Sequence, residues 1–370
     1  MDADIAELTR SRPGPPRTTR AEQVVPEWHD RLRARVLAEL DEFLKGQHLD
    51  VAGIAVDQVL WQYTGRGKCV RPAFMYSGWL CGAEDDAAAL RASAATELLH
   101  AFALLQDDVM DEAAVRRGEP AAHVRLADQH RGRGAPGCAR RFGESAATLL
   151  GDLCLVWSEQ MLRDSGVPAP ALSRVWPHYD RMRIELALGQ FADLGNDIRT
   201  LPSLESVLAI ARAKSGDYTV KWPLIMGASM AGCGEQVCAG LAEYGRLIGE
   251  AFQLRDDVLG VYGLPEVTGK PGDTDIAAHK ATTLLVAAVE MAGPRLRGEL
   301  RSLLEAPALD ESAVRRVRSL ITATGAPARI ESMISERVTA ARRVITDAPL
   351  PAQQRTVLDG LATRCTTRRF

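Results

Sequence analysis

Three aspartates within five residues, Asp107-Asp108-Val109-Met110-Asp111, are the strongest chemical signal in the chain. On a helix, Asp107 and Asp111 share a face one turn apart, with Asp108 to the side. Like charges at that spacing cost a helix about 0.2–0.5 kcal/mol, and burial raises the cost unless a cation neutralises them. Such a group suits Mg²⁺, which takes one or two carboxylates together with water and substrate phosphate oxygens. Taken alone, the motif is more often a solvated acidic helix end. Its surroundings shift that balance. Arg116 and Arg117 follow, with Gly118 and Pro120, and place two guanidinium forks beyond the carboxylates, as a diphosphate site requires. His100 lies nearly two turns before Asp107 and shares its face. A second pair, Asp256-Asp257, closes the run that begins Phe252-Gln253. Gln253 sits about one turn before Asp256; on spacing alone it is equally a solvated side chain. Two acidic helix faces opposed across a bundle can hold divalent ions between them.

The elements that must position these groups are helical. Apolar residues recur at helical spacing over residues 27–44, and residues 87–110 are rich in Ala and Leu without Gly or Pro, as in a buried central helix. Further helices are predicted near 144–163, 170–195, 203–214, 234–262, 280–292, 310–323 and 328–346. Gly and Pro mark breaks at 65–67, 132–137, 168, 202, 263–272 and 349–351. Residues 121–141 and 262–279 read as long irregular connections, which in compact folds are often functional. No alternating β-branched run competes. The fold expected is a single all-α domain over 27–370, preceded by a disordered Pro/Arg-rich tail over 1–26.

Composition narrows the function. The chain is 46% hydrophobic and 25% charged, with a formal net charge of -3 and no basic stripe, so nucleic acid is not an expected partner. No uncharged apolar run approaches the ~18 residues of a membrane span, and the N-terminal stretch lacks a signal-peptide core. Seven cysteines, odd in number and without a Cys-x-x-Cys pair, read as reduced cytoplasmic thiols. Of 45 Lys and Arg, only six are lysine: 45, 68, 214, 221, 270 and 280. A chain that favours Arg so heavily retains Lys where a compact, strongly hydrated charge suits better.

The segment from Leu98-Leu99-His100 to Arg116-Arg117-Gly118-Glu119-Pro120 resembles the first aspartate-rich motif of trans-prenyl diphosphate synthases, and other blocks match in that family's order. Gly67-Lys68-Cys69-Val70-Arg71-Pro72, Gly189-Gln190 with Asp193, Lys214-Ser215-Gly216, Phe252 to Asp257, Gly269-Lys270-Pro271 and Lys280-Ala281-Thr282 are the others. The resemblance covers roughly residues 60–290. It implies an all-α, isoprenoid synthase-like bundle around a central cavity, a homodimer, and condensation of isopentenyl diphosphate with an allylic diphosphate. It further implies that Asp107, Asp111 and Asp256 hold Mg²⁺, three ions in all, supported by Asp108 and Asp257. Arg116, Lys214, Lys270 and Lys280 would bind the allylic diphosphate, with Ser215 and Gln253 beside it. Lys68, Arg71, His100 and Arg117 would bind isopentenyl diphosphate. Phe102, five positions before Asp107 and followed by Ala103, matches the chain-length position of geranylgeranyl diphosphate synthases, giving a C20 product. On an ideal helix Phe102 falls well off the Asp107 line and Ala103 closer to it, so Phe102 reads equally as core.

Three positions depart from the pattern: Gly260 replaces the last Asp of the second motif, Arg66 a Gly, and Cys69 an Arg. Gly260 leaves Asp256 without a carboxylate one turn on, and the expected consequence is a metal cluster leaning on the first motif. Four rivals share features of the chain. A farnesyl or longer-chain synthase would share every block. A class I terpene synthase needs a later metal box that is absent here. A di-iron bundle needs a second Glu-x-x-His beside Glu97 and His100. A non-catalytic partner subunit has no use for the basic blocks.

Overall fold

The computed structural model describes residues 20–47, 54–263, 274–306 and 309–367. Residues 1–19 of the proposed tail and Lys270 therefore lie outside the described residues. Helix α1 covers Arg20–Lys45, beginning before the expected residue 27 and running through Pro26. Next come α2 (Val56–Thr64), α3 (Val70–Trp79) and the central α4 (Ala87–Met110). Asp86 starts α4, its side chain accepting from the Ala89 amide at 2.8 Å, an N-cap worth about 1 kcal/mol. Ala-rich faces let α1, α2 and α3 touch α4, as do the later helices Ala122–Gly132 and Ala139–Arg163. It is long and apolar enough to cross a membrane, yet it lies mostly buried among these neighbours.

Residues 121–141 are not irregular throughout. They contain α5 (Ala122–Gly132), which buries Ala122, Leu126 and Ala127. Three apolar residues in a polar segment made too weak a stripe to read. The short helix α3 was missed for the opposite reason: it is buried on nearly every side and carries no polar face. Helices α6 (Ala139–Arg163) and α7 (Ala169–Leu194) follow, the latter entered through Pro168.

The helix expected near 203–214 does not end there. Its α-helical part, α8 (Leu204–Ala211), widens into a π-helix over Arg212–Lys221, then resumes as α9 (Trp222–Met230). π segments often mark functional sites, because they displace side chains from the regular spiral. This one crosses α10 (Glu235–Tyr262) backbone to backbone. A Cβ on Gly249 would lie 2.6 Å from the Gly216 carbonyl oxygen, so no larger residue fits that crossing. Helices Thr283–Met291, Pro294–Leu304, Glu311–Thr324, Ala326–Asp347 and Ala352–Thr366 complete the described bundle. One contiguous apolar core runs from Leu32 to Cys365.

Candidate active site

The last turn of α4 places Asp107 on a cavity of about 700 Å³. Its Oδ1 accepts from Lys214 Nζ at 3.0 Å and Gln190 Nε2 at 3.4 Å, and its Oδ2 from Arg116 at 3.2 Å. Burial opposes ionisation of Asp107, but Lys214, Arg116 and Lys280 outweigh it and hold the carboxyl at about 2. Asp111 accepts from Lys280 Nζ at 2.5 Å. Asp193 takes a second bond from Lys214, also 2.5 Å, with Lys280 at 4.0 Å. Asp108 plays another part. It is fully buried, accepting from Tyr63 Oη at 2.6 Å and Arg116 Nε at 2.8 Å, and it fixes Arg116 against the motif.

Arg116 and Arg117 belong to a hairpin, β1 (Val115–Arg116) paired with β2 (Glu119–Pro120). The loop residues Arg117 and Gly118 have φ of 55° and 77°, the doubly positive pattern of a type I′ turn. Arg117 is held there by donating to the Gln62 and Tyr63 carbonyls at 3.0 and 3.2 Å.

Lys214 and Ser215 project from the π segment into the same cavity. Gly189 explains how α7 reaches them: a Cβ there would lie 2.5 Å from the Lys214 amide nitrogen. That contact carries Gln190 to Asp107 and Asp193 to Lys214. Across the cavity, α10 contributes Gln253 and Asp256. Asp257 turns inward instead, accepting from Gln253 at 2.8 Å and from the Thr283 amide and hydroxyl at 2.8 and 2.5 Å. Burial pushes its carboxyl up to about 6. Each acidic pair therefore divides into one residue on the cavity and one anchoring its surroundings. Lys280 is set by a short bridge with Asp197, where Ile198 N donates to the His279 carbonyl at 3.0 Å.

The remaining wall is basic. Lys68, Arg71, His100 and Arg117 all line it. Arg71 donates to Tyr218 Oη at 2.5 Å and Thr219 Oγ1 at 2.8 Å, and His100 Nδ1 lies 2.8 Å from the same Tyr218 oxygen. Burial, reinforced by Arg71, Arg117 and Arg116, drives the His100 pKa well below its usual value and keeps the imidazole neutral. Glu97 is buried among Arg71, Arg117 and Arg33, with burial pushing its pKa up. Its Oε1 and Arg71 Nε are buried without a hydrogen-bond partner among the described residues. Tyr218, Thr219 and Glu97 were not legible as site residues. Tyr218 stands one turn after Lys214, but a buried aromatic on a helix reads as core.

Residues 55–321 match the model of the polyprenyl synthetase family. The chain belongs to this family. It is 32% identical over 288 residues to geranylfarnesyl diphosphate synthase of Aeropyrum pernix, covering 76% of this chain and 84% of that one. It is 32% identical over 286 residues to geranylgeranyl diphosphate synthase of Mycobacterium tuberculosis, covering 76% and 75%. A crystal structure of geranylgeranyl pyrophosphate synthase from Corynebacterium glutamicum, complexed with isoprenyl diphosphate and magnesium, superposes with a TM-score of 0.86 at 34% identity. That alignment covers 92% of this chain and 99% of the other. The protein is thus a trans-prenyl diphosphate synthase, a prenyltransferase with the all-α isoprenoid synthase fold.

Ala103, Leu104, Leu186 and Phe252 give the synthase cavity apolar lining beside its charged groups. Phe102 is half-buried against the core and is not part of that lining. The helical angle explains it: Ala103, four residues before Asp107, stays on the cavity face and Phe102 rotates away.

The donors that the synthase offers a metal are carboxylate oxygens. Among the described residues no three His, Cys, Asp or Glu side chains converge as one ligand group. Mg²⁺ fits that arrangement, since it takes one or two carboxylates, keeps water and completes its shell with phosphate oxygens.

Proposed function

We propose that the synthase condenses isopentenyl diphosphate with an allylic diphosphate in the presence of Mg²⁺, three ions in all, and that its product is the C20 geranylgeranyl diphosphate. The observation that carries this reading is the polarity of the cavity. Asp107 with Lys214 and Arg116 lines it, and apolar Ala103, Leu104, Leu186 and Phe252 line the same cavity as a well for the tail. A diphosphate fits the first and a growing prenyl tail the second.

Asp107, Asp111 and Asp256 would hold the metal, which when bound supplies charge neutralisation at the phosphate oxygens. Arg116, Lys214, Lys280 and, by resemblance, Lys270 bind the allylic diphosphate, with Ser215 and Gln253 beside it. As the allylic C–O bond breaks, these fixed cations stabilise the departing diphosphate without reorganising. Lys68, Arg71 and Arg117 bind isopentenyl diphosphate. Neutral His100, braced by Tyr218, orients it so that its double bond attacks the allylic carbon. A proton then leaves the new chain for the released diphosphate.

Purified protein incubated with isopentenyl diphosphate and dimethylallyl, geranyl or farnesyl diphosphate should give C20 product with Mg²⁺ and none with chelator. No metal-dependent product from any primer would overturn the reading. Ala103→Phe is expected to shorten the product. Longer products from Phe102→Ala would instead return the floor of the well to Phe102.

We further propose a homodimer. Leu149 and Val156 of α6, and Ile184, Leu188 and Phe191 of α7, form exposed apolar stripes at helical spacing, with Phe191 79% exposed. Apolar area on that scale favours burial against a second copy. Light scattering should return twice the 40.1 kDa chain mass, and Phe191→Asp should return the monomer. The seven free thiols favour a reducing, cytoplasmic setting.

A further inference from the structure

Two departures near the Gly67–Pro72 block move charge about the basic wall: Cys69 stands where the family has Arg, and Arg66 where it has Gly. Arg66 does not refill the place, because it lies half-exposed and pairs with Glu119 of the hairpin at 3.3 Å. Cys69 is buried with a left-handed backbone, φ 49°, and the charged groups facing its thiol are Glu97, Arg33 and Arg117. Glu97 lies directly against this block: a Cβ on Gly67 would fall 2.6 Å from its Oε2. A buried carboxylate needs cations nearby, and Arg71, Arg117 and Arg33 supply them. The first two come from the family's motifs. Arg33 comes from α1, outside every motif block, and its Nε donates to the Gly67 carbonyl at 2.8 Å. His29, one turn earlier on α1, reaches the backbone of Lys68.

We infer that Arg33 is a positioning residue for isopentenyl diphosphate, standing in from α1 for the arginine absent at 69 and holding Lys68 and Glu97 in place beside Arg71 and Arg117. One guanidinium does two things there. Its hydrogen bond fixes the Gly67 carbonyl, so that the loop delivers Lys68 to the cavity wall. Its charge faces Glu97, the carboxylate set among Arg71 and Arg117. A further Arg at 69 would crowd a fourth guanidinium around that single carboxylate, and like charges in a buried site destabilise one another. Cysteine at 69 leaves the place to Arg33. Arg33 is not part of the cavity lining, so it acts through the groups that are. This inference rests on the reading of the basic wall as the isopentenyl diphosphate subsite.

The test is steady-state kinetics of the full chain with each substrate varied in turn, beside calorimetric titration of isopentenyl diphosphate. Arg33→Met keeps the aliphatic stem and removes the guanidinium. It should raise KM for isopentenyl diphosphate by about tenfold, the usual effect of losing a hydrogen bond made by a charged group. Both kcat and KM for farnesyl diphosphate should stay within about twofold of wild type, which a general loss of structure would not allow. Arg33→Lys, which keeps the charge without the fork, should fall between the two. Arg33→Met combined with Cys69→Arg should recover most of the loss. An unchanged KM for isopentenyl diphosphate, an equal rise for both substrates, or a double variant no better than Arg33→Met overturns the inference while the reading of the subsite stands. If Arg33→Met does not fold, Arg33→Lys carries the same comparison between substrates. A wild-type chain that neither binds nor consumes isopentenyl diphosphate overturns both.

Discussion

Replacement of Asp107 by alanine should lower kcat/KM by about a thousandfold or more, the equivalent of about 4 kcal/mol of transition-state stabilisation. The size of the effect follows from how many groups the carboxylate organises. Lys214, Arg116 and Gln190 all bond to it, and its ionised form is secured by the cations around it. On the proposed reading its removal deprives the metal of a ligand, and it leaves Lys214 and Arg116 facing one another with less charge between them. Lys214 keeps Asp193 and Arg116 keeps Asp108, so the fold survives the loss. Steady-state kinetics with farnesyl diphosphate, beside circular dichroism of the variant, separates the two consequences. Turnover near the wild-type value would remove Asp107 from the metal site.

The second large effect is expected at a residue that touches no substrate. Gly249→Ala should destabilise the synthase by about 1–3 kcal/mol. It should also lower kcat/KM by about a hundredfold, the usual cost of displacing catalytic groups by about 1 Å. The new methyl would lie 2.6 Å from Gly216 O and 2.7 Å from Gly216 C, so backbone must yield to it. What yields is the π segment that carries Lys214 and Ser215. Gly298→Ala is the matching control: a Cβ there meets nothing within 4 Å, and a helical Ala is favoured over Gly by about 1 kcal/mol. Thermal melts and kinetics on the two variants give the comparison. Equal behaviour would show that the Gly216–Gly249 crossing does not position the site.

The limits of reading this chain as a string follow from its architecture. The acidic pairs and Arg116 with Arg117 lie in local patterns whose spacing carries the chemistry, whereas the roles of Lys68, Lys214 and Lys280 came only from the resemblance of their blocks to the family. The two lysines left over also fit: Lys221 pairs with Asp217 at 3.0 Å, and Lys45 with Asp41 at 2.6 Å. Roles within a pair were less legible. Nothing local distinguishes Asp107 from Asp108; burial of the latter by Tyr63 and Arg116 does. Tyr218 was hidden because its partners, Arg71 and His100, come from α3 and α4, and Glu97 because the cations around it, Arg33, Arg71 and Arg117, come from other elements. A helical wheel put Ala103 nearer the Asp107 line without displacing Phe102 as the chain-length position, and only packing fixed which face of α4 lines the cavity.

The carboxylates proposed to face the metal already hold ammonium groups: Asp107 and Asp193 hold Lys214, and Asp111 holds Lys280. The ligand-free protein thus carries its own counter-ions. A cation arriving at the carboxylates releases the lysines, and a diphosphate arriving at the lysines releases the carboxylates. Each is therefore the effector of the other, and linkage makes the assistance reciprocal and equal in free energy. On the proposed reading, metal and diphosphate are expected to enter as a cooperative unit, by ion exchange.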